Sequence, residues 1–382
     1  MKKEKVKFSL KDHLFNEEKV KYLAGLFWKT NKKFQKKKFV EDVLEKFPEL
    51  ELKERITHIT KLLKIHIDKI SDEKYSSNIK IILNSLPPEL SEEKKDDDFG
   101  DFIFAPLNEY VSLYGSEKKN LKISLEAFKE ITKRFTSEGD IRFFINKYPV
   151  ESFNFMKKMS ISKNYHQRRL SSEGLRQRLP WCIGIDFDYK KSLEILDNLY
   201  GDKARYVVRS VANHLNDISK INPDLVVDIL DKWKKEGLQE KKEFEYLVNH
   251  SLRTSIKKGH KKTMEFLGFN LNPEIKIINF FLENNKINIG DYLKFNFSIE
   301  SEKNESLLID YKIIYPLGKN GKNSEKVFKL KKLDLKKSGV VNISKKHMFK
   351  LMTTKRLYSG VYKIQLQING KIFEEMEFEL EI

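Results

Sequence analysis

A single carboxylate stands inside a long basic run. Between Ser152 and Ile185 the chain carries seven lysines and arginines and one acid, Glu173. The segment RRLSSEGLRQRLPW (168–181) surrounds that acid with Arg168, Arg169, Arg176 and Arg178 and ends on Trp181. Its spacing predicts a helix to Leu179, before Pro180, with Arg169, Glu173 and Gln177 on one face. Arg176 and Arg178 then fall on neighbouring faces. A carboxylate isolated in this way can stabilise a developing cation or orient a water. The same spacing suits an ordinary surface Arg–Glu pair of little energetic value, with Trp181 in the core. The acid-free surroundings favour the chemical reading, as does Gly174, which costs a helix interior about 1 kcal/mol relative to Ala.

Three other stretches could contribute. In RSVANHLND (209–217), Arg209, Asn213 and Asp217 recur every four residues opposite an apolar stripe, with His214 beside them. They form either a polar ladder pointing away from the core or the plain polar face of a helix end. NHSLRTSIKKGHKKT (249–263) gathers Arg253, Lys257, Lys258 and His260 at a helix end and turn, where donors suit phosphate oxygens or simply complement the helix dipole. RFTSEGDIRFF (134–144) reads as a helix break with Glu138 and Asp140 at a new N-terminus. Phosphate-loop, GxGxxG, HExxH, paired-cysteine and GxSxG motifs are missing, which argues against nucleotide, metal and serine-hydrolase chemistry.

The elements that must position these residues change character along the chain. To about residue 270 the apolar residues follow a helical period, as in Leu125, Phe128, Ile131 and Phe135, or Val207, Val211, Leu215 and Ile218. About a dozen helices joined by short turns point to a HEAT-like α-solenoid. SLPPELSEEKKDDDFGDF (85–102) is the one clear interruption and reads as a solvated loop. After Asn272-Pro273 come seven short alternating segments with turn signals between them, the pattern of an immunoglobulin-like β-sandwich. The expectation is a mainly α chain with a helical-repeat domain over 1–272 and a sandwich over 273–382.

Charge bounds the partner. The formal net charge is +18, and residues 274–382 carry 20 basic and 14 acidic side chains, so +6 falls there and +12 on the helical part. Both parts therefore favour a polyanion. A grip by the sandwich would use KKHMFKLMTTKR (345–356), which includes Lys355 and Arg356. With one cysteine, Cys182, no apolar run long enough for a membrane span and no apolar core near the start, the expectation is a cytoplasmic protein that stays off membranes.

HQRRLSSEGLRQRLPW, RSVANHLNDISKINPD and NHSLRTSIKKGHKKTMEFLGF together resemble the DNA alkylation repair glycosylases of the AlkC/AlkD superfamily. The N-terminal VKYLAGLFWKTNKKFQKKKFVEDVLEKFPELELKERI resembles the AlkC branch, some members of which carry a C-terminal immunoglobulin-like domain. The resemblance departs from the family pattern at Gly139 and Gln177. It implies a solenoid cradling damaged duplex DNA and a monomer that excises cationic N-alkylated bases without drawing them into a deep pocket. By it Glu173, Asp217 and Glu138 are the catalytic acids, and Arg169 and Trp181 line the cleft. 3-Methyladenine is the leading lesion and 3-methylcytosine a further one. No cofactor or metal is needed. A DNA-binding solenoid without turnover and a protein-interaction scaffold are the alternatives, the second disfavoured by the charge of both parts.

Overall fold

Helical periodicity becomes helices, several of them started by a cap or a proline. The computed structural model describes residues 8–91, 99–316, 323–351 and 356–382. The chain opens with α1 (Leu10–Leu14), α2 (Glu17–Thr30), α3 (Lys36–Lys46), α4 (Leu52–Asp68) and α5 (Tyr75–Asn84). It continues through α6 (Ala105–Tyr114), α7 (Leu121–Ile131), α8 (Ile141–Lys147), α9 (Pro149–Ser160) and α10 (Tyr165–Glu173). Then come α11 (Tyr189–Leu199), α12 (Arg205–Ser219), α13 (Pro223–Glu236), α14 (Lys241–Ser251), α15 (Arg253–Lys257) and α16 (Lys261–Phe266). Glu51 and Glu54 form a capping box on α4, Asn164 accepts the amides of His166 and Gln167 at the start of α10, and Pro149 opens α9.

Neighbouring helices pack together, α2 with α3, α4 with α6 and α9 with α10, in the HEAT-like α-solenoid expected. Val207, Val211, Leu215 and Ile218 of α12 are all buried, as their spacing requires. The helical stretch YLVNHSLRTSI (246–256) breaks at Leu252, between α14 and α15. Of the loop expected over 85–102, residues 92–98 lie outside the described residues. Among the described residues no helix is long and apolar enough to cross a membrane.

The chain divides into two compact units. The first runs to Asp217 and takes in Gly237–His250; the second comprises Ile218–Glu236 and Ser251–Ile382. Within the second lie β1 (Ile275–Leu282), β2 (Lys286–Asn288), β3 (Tyr292–Ser301), β4 (Glu305–Tyr315), β5 (Ser324–Leu335), β6 (Val340–Met348), β7 (Gly360–Ile368) and β8 (Lys371–Glu381). They form two sheets, β1-β3-β6 and β2-β8-β7-β4-β5, with Phe295, Phe297, Tyr311, Ile313, Ile364 and Leu366 in the core between them. The seven segments read from the sequence are strands. The addition is β2, three residues pairing parallel with β8, too short to show alternation.

The last helices join this sandwich as one unit. Met264, Phe269 and Leu308 of β4 make a small buried cluster, with Ile256, Leu267 and Leu271 packed against it. Gly259, in the turn before α16, lies backbone to backbone with Gly370 in the β7–β8 turn, both at positive φ. A Cβ on Gly259 would meet Gly370 O at 2.5 Å, so this approach admits only glycine. Asn369 completes the seam by donating to Asn270 O at 2.8 Å and accepting from Leu308 N at 2.8 Å.

Candidate active site

The helix that carries Glu173 is shorter than its spacing predicts. α10 ends at Glu173, six residues short of Leu179. Gly174 is its C-cap and is closely packed: a Cβ there would meet Met156 Cε at 2.8 Å and Leu170 O at 3.0 Å, so the Met156 tip would have to move. Beyond the cap, Arg142 of α8 donates to Gly174 O at 3.3 Å, the carbonyl a continuing helix would offer to Arg178 N, and to Arg176 O at 2.7 Å and Gln177 O at 2.8 Å. Pro180 has no amide to offer Arg176 O in any case. Gln177 therefore leaves the Arg169–Glu173 face, and its amide donates to Phe187 O at 3.4 Å.

The break brings three acids and two arginines into one line within the first unit. Arg169 binds Glu138 and donates to Thr136 Oγ1 at 2.9 Å. Its other nitrogen lies 3.9 Å from Glu173. Arg176 binds Glu173 on one side and reaches Asp217 Oδ2 on the other, at 2.8 Å from Nε and 2.7 Å from Nη2. Glu173 is 5% exposed and Arg169 5%, while Glu138 and Asp217 are half-buried. The line alternates acid and guanidinium, Glu138, Arg169, Glu173, Arg176 and Asp217.

Residues without a signal in the sequence hold these side chains in place. Ser210 of α12 donates to Glu173 Oε2 at 2.6 Å, and Tyr206, one turn earlier, lies under the Arg169 guanidinium at 4.4 Å. Phe99 covers the same guanidinium at 5.4 Å. Burial by itself would raise the Glu173 carboxyl, but the charges of Arg169 and Arg176 and the Ser210 hydroxyl outweigh it and hold it below the usual range. Burial would likewise lower the two arginines, yet their acids raise both. Glu173 is thus an anion fixed in place, a form that can stabilise positive charge without proton transfer.

The arginines of the basic run are therefore internal counter-ions rather than a wall open to solvent. Arg169 and Arg176 face acids, and Arg168 binds Asp202; Arg178 is the exposed one. Trp181, in the core by the ordinary surface-pair reading, is 72% exposed on the following loop at φ 65°, its carbonyl held by Lys53 Nζ at 2.6 Å. Arg209 and Asn213 are half-buried on α12 with Asp217, as the ladder spacing requires, and Asn213 Oδ1 lies 2.9 Å from His250 Nε2. His214 is no surface donor. It is 1% exposed beside Ser192 Oγ at 3.2 Å, and burial pushes it down to about 4.

The remaining candidates belong to the second unit. Arg253 and His260 are half-buried, Lys257 and Lys258 exposed, and His260 lies 3.5 Å from Asp224. Arg356 is exposed beside Tyr358, and Lys355 lies outside the described residues.

Known proteins resemble the chain at two levels. Residues 276–382 match the family described as the C-terminal Ig-like domain of the uncharacterised protein YhaZ. YhaZ of Bacillus subtilis (strain 168) is 29% identical over 371 residues, 96% of this chain and 98% of that protein. The solved structure of the Pseudomonas fluorescens alkylpurine DNA glycosylase AlkC, bound to DNA containing an abasic site analogue, covers 98% of this chain and 100% of its own, with a TM-score of 0.85 and 28% identity.

Proposed function

We propose, starting from a chain that is AlkC-like in fold and domain order over nearly its whole length, that it is a DNA glycosylase for alkylated bases. Its substrates are cationic N-alkylated bases in duplex DNA, 3-methyladenine first and 3-methylcytosine second. The reaction is monofunctional hydrolysis of the N-glycosidic bond.

The observation that carries this reading is Glu173, held ionised by Arg169, Arg176 and Ser210 and linked through Arg176 to Asp217. An N3-alkylated base already carries positive charge, so it leaves without a general acid. The barrier is the oxocarbenium-like sugar that remains, as in other glycosyl transfers. A carboxylate fixed close to C1′ stabilises that cation, and a second one orients or deprotonates the attacking water. Glu173 takes the first role, Asp217 the second, and Glu138 is a third acid beside them, paired with Arg169. No deep pocket is required, because the lability of the cationic base does the selecting. Trp181 packs on the exposed nucleotide, and the exposed Arg178, Lys257, Lys258 and Arg356 suit phosphates, with Lys355 beside them in sequence.

The same pairing lends something to the competing reading, a DNA-binding protein without turnover, because every acid in the line already has a guanidinium partner. Release of free base from methylated duplex DNA separates the two. Wild type is expected to free 3-methyladenine, and Glu173→Gln and Asp217→Asn to lower the rate by roughly 10²–10³ with binding retained. Salt-sensitive DNA binding with no free base from wild type would reject the glycosylase in favour of the binding protein.

A further inference from the structure

Arg142 is fully buried, and its guanidinium donates only to main-chain oxygens. Its acceptors are the carbonyls of Gly174, Arg176 and Gln177 on the outgoing leg of one loop and Ile183 on the returning leg, the last from Nε at 2.5 Å. None is a carboxylate, and among the described residues Arg142 makes no ion pair. A buried guanidinium is ordinarily matched by an acid, because desolvating an unmatched cation is costly. Here four oriented carbonyl dipoles replace the acid. Burial lowers this arginine from its ordinary value, but it remains a cation.

What the four carbonyls share is the loop that holds Arg176 and Trp181. Arg176, whose own carbonyl is one of the four, bridges Glu173 and Asp217 with its side chain. Trp181 sits at the tip, between the two legs. One turn along α8, Asn146 donates to Gly184 O at 3.0 Å and accepts from Asp186 N at 3.1 Å, so the same helix face binds the loop again. Between the legs themselves there is the Ile185 N to Gln177 O bond at 3.1 Å. The legs of the loop are therefore shaped mainly from α8, while its tip has the Cys182 N to Leu179 O turn at 3.4 Å and Lys53 of α4 on the Trp181 carbonyl.

We infer that Arg142 is a positioning residue for base excision: it fixes the 174–184 loop so that Arg176 links the two acids and Trp181 projects to the substrate. It touches neither substrate nor reacting atoms. The inference rests on the glycosylase reading for its kinetic consequence and on the loop geometry alone for its structural one, so the two can fail separately.

The test compares wild type with Arg142→Lys, which keeps a charge but cannot span both legs, and Arg142→Met, which keeps volume and loses every donor. Two measurements are made below the melting temperature of each variant. Hydrogen exchange is followed along the whole chain, and single-turnover base release is set against affinity for duplex DNA carrying an abasic-site analogue. The expected result is faster exchange in 174–185 with α9 and α12 still protected. Base release at saturating DNA should fall by at least about tenfold while affinity stays within about threefold. Unchanged loop exchange in both variants overturns the inference. So does loss of protection throughout the first unit, or a fall in release matched by the fall in affinity. If wild type frees no base, the glycosylase reading fails and the exchange arm alone decides whether Arg142 shapes the loop.

Discussion

Ser210 donates its hydroxyl to Glu173 Oε2 at 2.6 Å, from a helix that also carries Asp217 seven residues on. The bond crosses from α12 to α10 and fixes the oxygen that Arg176 does not hold. A hydrogen bond to a charged group is worth about 1.5–3 kcal/mol, so Ser210→Ala should slow base release by roughly ten- to a hundredfold. DNA affinity should stay near wild type. Single-turnover kinetics against the binding isotherm checks this, and an unaltered rate would mean that the orientation of Glu173 does not matter.

Arg169 sits between two acids and over two rings, and its removal should be costly. Arg169→Met leaves Glu138 and Glu173 with one guanidinium fewer in a buried setting and is expected to destabilise by about 3–5 kcal/mol in urea denaturation. Adding Glu138→Gln to that variant should restore part of the loss, by about 1–2 kcal/mol. Strict additivity of the two changes would contradict a shared network.

Asp140 contributes a pH dependence of its own. Its carboxyl accepts from Ser112 Oγ at 2.8 Å, and burial, with Glu109 adding to it, pushes its pKa up to about 7. The folded chain therefore binds this proton more tightly than the unfolded chain, and stability falls as pH rises from the ordinary value of 3.8 through about 7. Asp140→Asn is expected to stabilise by about 1–2 kcal/mol at pH 8, the size discounted because the residue is only half-buried, and to have no effect near pH 4. Denaturation curves between those limits give the slope. A gain of equal size at both ends would rule out the ionisation as its cause.

Trp181 separates fold from function. At 72% exposure its side chain adds little to the core, so Trp181→Ala should leave stability within about 0.5 kcal/mol of wild type. Base release should fall by about tenfold, and Trp181→Phe should recover most of it, because a ring face is what the nucleotide needs. A loss of stability in place of activity would return the indole to the core after all.

Much of this was readable before any coordinates. The stripe Val207, Val211, Leu215 and Ile218 reports burial directly through its period, and the change to alternation after Asn272-Pro273 places β1 at Ile275. Arg209, Asn213 and Asp217 share the half-buried face that their spacing gives them. The end of α10 was not readable. It is set by Arg142, 32 positions before Gly174, and by Met156 against the Gly174 backbone, neither of which leaves a local signature. The arginine run misled for the same reason: the partner of Arg169 is Glu138, 31 positions upstream, so a segment poor in acids locally is well supplied with them in space. Ser210 carries no signal of its own, because a serine on a helix is ordinary until its neighbour across the packing is known.

The contact of Gly259 with Gly370 bears on where the chain can be cut. A fragment beginning at residue 273 would leave Leu308 without Met264 and Phe269, and Asn369 without its acceptor at Asn270. A fragment ending there would bare the other side of the same seam. The autonomous piece suggested by this joint includes α13, α15 and α16 with the strands, and it is not contiguous, because Gly237–His250 belongs to the first unit. Any attempt to express, swap or graft the sandwich by itself would thus expose a sticky apolar scar, and aggregation of such a fragment would say nothing about DNA.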